Sequence, residues 1–173
     1  IIEEFMLVTN ETVAEEFHWA EIPFLYRIHE EPSAEKLQDF AKFIHNFGYS
    51  LKGKEIHPKE LQLLTKEIKG KKEEMVISTL LLRSLRKAIY SAESDIHFGL
   101  AAQYYSHFTS PIRRYPDLVI HRIIKDYLKG KLSIDKIAKL EKTLPEIAEH
   151  TSMTERRAEE AEREVDDLKK AQY

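Results

Sequence analysis

Apolar residues recur at helical spacing along most of the chain. At its start, Ile2, Phe5 and Phe17 share one face, which predicts a first helix. Prolines and serines mark where further helices begin, and glycines mark where they end. The predicted helices run from about Ile1 to Trp19, from Pro32-Ser33 to Gly48, from Pro58 to Gly70, from Glu73 to about Tyr90, from Pro116 or Asp117 to Gly130, from Ser133 to about Leu144 and from Pro145 onward.

A different period occurs at residues 22–28, where large apolar side chains occupy alternate positions. A period of two is typical of a strand, and Pro23 is tolerated only at the beginning or the edge of one. The segment from Glu73 to Tyr90 is apolar on more than one face, which predicts a central buried helix. Together these patterns predict a fold that is mostly α with a short β element (α+β), in one domain or part of one.

Composition narrows the class of protein. The chain has 173 residues, of which 42% are apolar and 33% charged, so it can form a core with well-solvated helical faces. It has no cysteine, which excludes a disulfide scaffold and a thiolate zinc site and favours a reducing compartment, the cytoplasm. The net charge of -3 excludes a polycation that coats nucleic acid, and no apolar run is long enough to predict a membrane partner.

Residues 97–122 are rich in polar and aromatic side chains, with three histidines, three tyrosines, three arginines and two prolines. Within them, Thr109-Ser110-Pro111 predicts a tight turn that presents Arg113 and Arg114 at consecutive positions. A guanidinium on a rigid turn can grip a phosphate through two parallel hydrogen bonds, or it can form a structural salt bridge with Asp117. The spacing alone leaves both interpretations open.

Several segments resemble a known family, in the order in which they occur. The most specific is HFTSPIRRYPDL at residues 107–118, which resembles the signature of the ribonuclease II/R family of exoribonucleases. The other matching segments are IEEFM at 2–6 with Asn10, PF at 23–24, YR at 26–27, HE at 29–30, HFGLA at 97–101, HR at 121–122 and AERE at 161–164. Because they span essentially the whole chain, the resemblance implies that residues 1–173 are the C-terminal portion of the RNB catalytic domain.

The resemblance implies a processive 3′→5′ exoribonuclease that hydrolyses RNA from its 3′ end and releases nucleoside 5′-monophosphates. Such enzymes hold Mg²⁺ in an aspartate cluster. We expect this cluster, and the flanking OB-type RNA-binding domains, to lie outside this chain. Asp166-Asp167 is the one aspartate doublet, and it lacks the further carboxylates that a two-metal site needs. The chain also begins inside an amphipathic pattern without an initiator methionine. We therefore expect a fragment that depends on the remainder of the same polypeptide.

The resemblance also implies roles for individual residues. Arg113 matches the family arginine that contacts the scissile phosphate, where negative charge develops in the transition state. Ser110 and Arg114, on the same turn, are expected to bind RNA. Glu3 matches a glutamate near the 3′-terminal ribose, where a carboxylate can accept a hydrogen bond from the 2′-hydroxyl. Glu162 matches a glutamate close to the bound terminal nucleotides.

Other residues allow two interpretations each. Three histidines are too widely spaced for a tight pair of metal ligands and are more typical of structural histidines: His97, His107 and His121. Three tyrosines can stack on bases or pack the domain, and packing is favoured: Tyr104, Tyr105 and Tyr115. A basic stretch can steer RNA or form an ordinary solvated surface, which is favoured: Lys52, Lys54, Lys59, Lys66, Lys69, Lys71 and Lys72.

Two functions of other classes stay open. A catalytically inactive RNA-binding module would use Arg113 and its turn only to hold phosphates. A helical scaffold would dock a partner protein through its acidic last helix. An aspartate cluster in the sequence before Ile1 would favour catalysis over binding alone, and an RNA titration would separate both from a scaffold.

Overall fold

The chain forms two compact units in a computed structural model that describes residues 1–51 and 57–173. The first unit consists of residues 1–28, 89–95 and 104–173, and the second of residues 29–88 and 96–103. Lys52 and Lys54 of the basic stretch lie outside the described residues. The elements are α1 (Ile2–Trp19), β1 (Tyr26–Ile28), α2 (Ala34–His45), α3 (Pro58–Ile68), α4 (Glu74–Ser84), β2 (Ile89–Ser91), a 3-10 turn (Phe98–Leu100), α5 (Tyr115–Leu128) and α6 (Ile134–Gln172).

The core of the first unit surrounds a two-stranded antiparallel sheet, in which Tyr26 pairs with Ser91 and Ile28 with Ile89. Helix α6 is tied to this sheet because the Ser152 hydroxyl accepts a hydrogen bond of 2.9 Å from the backbone N–H of Tyr90. Helices α1, α5 and α6 contribute most of the remaining buried side chains. The buried apolar residues are Ala14, Phe17, Phe24, Leu25, Tyr26, Ile28, Tyr90, Val119, Ile120, Ile123, Leu144 and Ala148.

Helices α2, α3 and α4 enclose the core of the second unit. Helix α2 begins after Ser33, whose side chain accepts a hydrogen bond from the N–H of Lys36, as N-cap serines commonly do. Gly48 and Gly70 follow α2 and α3 with φ of +85° and +79°, a left-handed conformation that glycine adopts without strain. The buried apolar residues are Phe40, Ile44, Tyr49, Leu61, Leu64, Ile68, Ile77, Leu81 and Phe98.

In the second unit, the ring of His29 is hydrogen-bonded to two backbone segments. We call His29, His97 and Gly99 the histidine loop. The His29 Nε2 lies 2.7 Å from the carbonyl oxygen of Arg86, and its Nδ1 accepts the N–H of Gly99 at 3.0 Å. Since Nδ1 accepts, Nε2 is the nitrogen that donates, and the ring is neutral. A Cβ on Gly99 would lie 2.7 Å from His29 Nδ1, so the close approach requires glycine.

The predicted fold class is confirmed, because the described residues are mostly α-helical and contain one short sheet. The predicted strand at 22–28 is shorter than expected and covers Tyr26–Ile28. The predicted helix from Glu73 to about Tyr90 is wrong over its last third, because α4 ends at Ser84. Ile89–Ser91 pairs with β1 instead, so tertiary pairing of β-branched and aromatic residues overrides the helical spacing.

Helix α4 is not the central buried helix that its composition predicts. Met75 and Leu82 on its surface are 77% and 71% exposed, while Ile77 is fully buried. An apolar side chain on a helix surface is common in globular proteins, so composition alone does not define the buried face.

The predicted helix boundary at Pro145 is also wrong. Helix α6 continues through Pro145 and is 39 residues long in all. A proline removes one helical hydrogen bond, and the burial of Leu144 and Ala148 on either side offsets that loss. Beyond Glu155, every residue of α6 is exposed. Within the described part of the chain, helices are either too short or too polar to cross a membrane.

Candidate functional site

A tight turn brings two arginines to the beginning of α5, as predicted. The carbonyl oxygen of Ser110 accepts hydrogen bonds from the N–H of Arg113 at 3.3 Å and of Arg114 at 3.1 Å. Pro111 restricts φ within the turn, and Pro116 lies in the first turn of α5, where a missing N–H costs little. We call residues 110–114 the arginine turn.

Asp117 anchors the arginine turn from inside the first unit. Its side chain is 0% exposed, and Oδ1 accepts a hydrogen bond of 2.8 Å from the N–H of Ser110. The same oxygen accepts hydrogen bonds from Arg114, at 3.2 Å from Nε and 2.7 Å from Nη2. The structural salt bridge with Asp117 is therefore formed by Arg114.

Arg113 has a different environment. Its side chain is exposed, and its guanidinium forms no hydrogen bond or ion pair with any residue that the structure describes. Arg114 is therefore paired inside the first unit, whereas Arg113 is exposed beside it. Arg114 thus fits the interpretation as a structural salt bridge, and Arg113 fits the interpretation as a phosphate ligand.

Arg113 lies at a groove of about 520 Å³ in the first unit. One wall is formed by the arginine turn and the beginning of α5, and the other by α6. The α6 wall carries three carboxylates, those of Glu155, Glu159 and Glu162. Tyr90 of β2 also lines the groove.

Glu155 and Tyr90 are held in place by Arg27. The Arg27 nitrogens Nη1 and Nη2 donate to the two carboxylate oxygens of Glu155 at 2.7 and 3.2 Å. Its guanidinium carbon lies 4.5 Å from the centre of the Tyr90 ring, a cation–π contact. Burial raises the pKa of Tyr90 to about 12, against the lowering effect of Arg27, so the phenol is neutral at physiological pH.

The remaining free charges of the groove lie on opposite walls. Among the charged side chains that line it, Arg113 and Glu162 have no hydrogen bond or ion pair with the described residues. Arg114 and Glu155 are already neutralised by their partners. A free guanidinium can bind a phosphate, and a free carboxylate can accept a hydrogen bond from a hydroxyl group. The groove can therefore hold a ligand that carries both groups.

The histidines of the polar stretch have separate structural contacts. His107 Nδ1 lies 2.9 Å from the Tyr90 hydroxyl. The His121 ring stacks on Phe108 with centres 4.2 Å apart, and its Nε2 lies 2.9 Å from the Phe108 carbonyl oxygen. His97 Nδ1 accepts a backbone N–H at 3.3 Å. These contacts agree with the structural interpretation.

Magnesium, which the resemblance implies, needs several oxygen ligands that converge. Within residues 1–51 and 57–173, no three His, Asp or Glu side chains come together in a way that could hold a metal ion. Asp166 and Asp167 lie on the exposed end of α6. The described residues therefore do not fit a resident magnesium ion.

The structure brings three of the predicted site residues to the same groove: Arg113, Arg114 and Glu162. Ser110 contributes its backbone N–H and carbonyl to the arginine turn. Glu3 lies exposed in the first turn of α1 and does not belong to the described lining of this groove.

The three tyrosines differ in their contacts. Tyr104 stacks on His18 with ring centres 4.3 Å apart, and the Tyr105 hydroxyl accepts a hydrogen bond of 3.0 Å from Asn10 Nδ2. Both therefore pack the first unit, which is the favoured interpretation. Tyr115 is 50% exposed and lines the groove beside Arg113, so packing does not account for it.

Sequence reasoning did not find the pair formed by Arg27 and Glu155. The two residues are 128 positions apart, so no local pattern connects them. The one available signal was the match of YR at residues 26–27 to the family, which gave Arg27 no role.

Comparison with known families decides what the chain is related to. Residues 1–130 of its 173 match the RNB domain. The chain belongs to the RNB domain family. The RNB match contains Glu3, the arginine turn and Asp117, whereas the α6 wall of the groove lies beyond it.

Relatives of this RNB chain include both nucleases and a pseudonuclease. Ribonuclease R 1 of Lactococcus lactis is 53% identical over 175 residues, which is 100% of this chain and 21% of that protein. Mycoplasma genitalium RNase R, in complex with ribose methylated single-stranded RNA, matches with a TM-score of 0.90 and 32% identity, over 96% of this chain and 27% of that one. Yeast Ssd1, a pseudonuclease, matches with a TM-score of 0.73 and 30% identity, over 87% of this chain and 19% of that one.

These RNB relatives are much longer than the chain. It spans 21% to 26% of the length of the curated ribonucleases R that it matches.

Proposed function

We propose that this chain is part of a cytoplasmic, magnesium-dependent exoribonuclease that shortens RNA processively from its 3′ end and releases nucleoside 5′-monophosphates. Membership of the RNB family and the similarity to ribonuclease R along the whole chain support this proposal. The RNase R of Mycoplasma genitalium occurs in complex with ribose methylated single-stranded RNA, a ligand that carries phosphates. The observation that carries the proposal is the unpaired guanidinium of Arg113 on an anchored turn.

In this proposal Arg113 acts on the scissile phosphate. A planar guanidinium donates two N–H groups to phosphate oxygens, and negative charge on those oxygens increases as the bond to the leaving group breaks. The contact is therefore stronger in the transition state than in the ground state, which is the condition for catalysis. The hydroxyl of Ser110 contacts the neighbouring RNA backbone, whereas the guanidinium of Arg114, which is paired with Asp117, holds the turn that presents Arg113.

Two carboxylates recognise the sugar end of the substrate. Glu162 faces the same groove as Arg113 and accepts hydrogen bonds from the terminal nucleotides. Glu3 accepts a hydrogen bond from the 2′-hydroxyl of the 3′-terminal ribose, which distinguishes RNA from DNA. The carboxylate of Glu162, which has no hydrogen bond or ion pair with the described residues, and the exposure of Glu3 support these assignments.

The magnesium ion is held by carboxylates outside this chain, in the remainder of the same polypeptide. The lack of a suitable cluster within the described ranges supports this division of the site. A guanidinium can stabilise developing charge but cannot generate a nucleophile. Hydrolysis therefore requires groups that the described residues do not contribute.

The test replaces Arg113 in the complete protein by lysine and by alanine. Single-turnover cleavage of end-labelled RNA is compared with equilibrium RNA affinity. We expect Arg113→Ala to lower the cleavage rate by about 10³-fold, as removal of an arginine finger does. Arg113→Lys should recover only part of that rate, because lysine keeps the charge but loses the planar fork.

RNA affinity should change much less, because one phosphate contact among many contributes little to it. Lys125→Ala, which removes an exposed cation from α5 outside the groove, is the matched control and should leave cleavage unchanged. A loss of cleavage no larger than the loss of affinity would make Arg113 a binding residue only.

A second candidate function is RNA binding without catalysis. The likeness to yeast Ssd1, a pseudonuclease, favours it, because this fold occurs without nuclease activity. In that case the complete protein would bind RNA with strong salt dependence and release no mononucleotides with magnesium present. The same cleavage assay therefore separates the two functions.

A further inference from the structure

The carboxylate of Asp117, in the first turn of α5, is buried and bonded to the arginine turn. It is 0% exposed, and its Oδ1 accepts all three hydrogen bonds that the side chain forms with the described residues. Its Oδ2 is also buried and has no hydrogen-bond partner among the described residues. Burial of a carboxylate is unfavourable unless its oxygens are well bonded, and here one of the two is not.

A buried ion pair of this kind is weak evidence for a stabilising role. Apolar side chains of similar volume often stabilise a core as well as a buried pair does, because the desolvation of two charges offsets their attraction. The Asp117–Arg114 pair therefore needs another explanation. What a charged pair supplies that apolar packing does not is a defined direction for each hydrogen bond.

The three hydrogen bonds of Oδ1 act on the two ends of one short segment. The first fixes the backbone N–H of Ser110, where the turn begins, and the other two fix the guanidinium of Arg114, where it ends. Ser110 also accepts the N–H groups of Arg113 and Arg114. Arg113 lies between these two fixed points and has no partner of its own within the described chain.

We propose that Asp117 is a positioning residue that acts through Arg113. It holds the arginine turn in the one conformation that directs the Arg113 guanidinium to the scissile phosphate, and it does not itself touch the substrate. This inference rests on the proposed function, because it requires that Arg113 contributes to cleavage.

The experiment is a double-mutant cycle in the complete protein, with single-turnover RNA cleavage as its readout. Asp117→Asn keeps the shape of the side chain but weakens the bonds to Arg114. We expect it to lower cleavage by about 10²-fold, the effect of a misplaced catalytic group. In the Arg113→Ala background the same substitution should change cleavage by less than about twofold, because its effect passes through Arg113.

Two further variants keep the cycle interpretable. Arg114→Lys leaves a cation beside the buried carboxylate, so it retains the charge balance of the core while losing the two-nitrogen contact. It should show a smaller loss with the same dependence on Arg113. Asp126→Asn removes a carboxylate of α5 that is paired with Lys136 at 2.5 Å, and it should change cleavage in neither background.

The outcomes are distinguishable. If Arg113→Ala leaves cleavage unchanged, the proposed function of Arg113 fails, and the inference fails with it. If Arg113→Ala lowers cleavage but the loss from Asp117→Asn or Arg114→Lys is equally large with and without Arg113, only the positioning role is overturned. RNA affinity serves as the second readout and should change less than about threefold in the Asp117 and Arg114 variants.

Discussion

The histidine loop of the second unit and the arginine turn of the first unit both come from polar segments that match the RNB family. Each is closed by hydrogen bonds between its own backbone and a buried side chain, His29 in one and Asp117 in the other. They differ in whether a polar side-chain group stays without a hydrogen-bond partner. Both ring nitrogens of His29 are bonded to backbone groups, those of Arg86 and Gly99, whereas the guanidinium of Arg113 has no partner among the described residues.

Whether a polar side chain has a hydrogen-bond partner inside the protein distinguishes structural from functional residues better than the polarity of the side chain does. A polar group that is satisfied inside the protein already stabilises the fold, and a ligand would have to replace those bonds. A charged group that is fixed in place but unbonded is available to a ligand. We therefore expect changes in the histidine loop to affect stability and changes in the arginine turn to affect chemistry.

The largest expected effect is the loss of all cleavage when the arginine turn is isolated from the rest of its protein. The 173-residue chain should release no mononucleotides from RNA, with or without magnesium, because its described residues offer no cluster of carboxylates for the metal. Purified chain is incubated with end-labelled RNA, with Arg113→Ala as the control. Mononucleotide release that disappears in the control would show that the chain holds a metal site of its own.

A smaller effect tests whether Glu3 belongs with the arginine turn or with the ordinary surface. If it binds the terminal 2′-hydroxyl, Glu3→Gln in the complete protein should narrow the preference for RNA over a substrate that ends in 2′-deoxynucleotides. The loss of one charge-assisted hydrogen bond corresponds to about 1.5–3 kcal/mol, or roughly 10- to 150-fold.

Glu4 offers a matched control, because it lies beside Glu3 in the first turn of α1 and is also exposed. Glu4→Gln should leave the preference for RNA unchanged. An equal preference in the Glu3 variant and in the unmodified protein would assign Glu3 to the ordinary surface.

The smallest expected effect concerns the histidine loop. Gly99→Ala places a Cβ 2.7 Å from a ring that is bonded at both nitrogens, so the ring cannot move aside without losing a hydrogen bond. We expect it to lower the free energy of unfolding by about 1–3 kcal/mol, as overpacking does. Urea unfolding measures this change, and Gly130→Ala, at a glycine with open space around it but φ of +62°, separates backbone strain from steric overlap.

Cleavage per folded molecule should be unchanged by Gly99→Ala in the complete protein. A large loss of cleavage without a loss of stability would contradict the division between the two polar segments.

Local signals in the sequence were sufficient for most helices. Ser33 caps α2, Pro58 begins α3 and Gly130 follows α5, each as its residue type predicts. The failures at Tyr90 and Pro145 have a common cause. Strand pairing and burial against distant residues determine these two positions, and neither contribution is encoded within a window of neighbouring residues.

The candidate site was predictable to a similar extent. The tight turn and its two arginines follow from Ser110 and Pro111, whereas the division of roles between the arginines depends on which of them reaches Asp117. Glu162 was assigned through the family resemblance, because a glutamate on a charged helix has no distinguishing local pattern. The α6 wall that it shares with Glu155 depends on the continuity of a helix through Pro145, which the sequence argues against.

The exposed end of α6 makes the width of the groove sensitive to the direction of this helix. Glu155 pairs with Arg27, and every residue of α6 beyond Glu155 is exposed. Glu162 lies two helical turns further out, about 10 Å along the axis. A tilt of about 10° at Glu155 would therefore displace Glu162 by about 2 Å relative to Arg113. The width of the groove depends on the bending stiffness of α6 and on whatever holds its outer end.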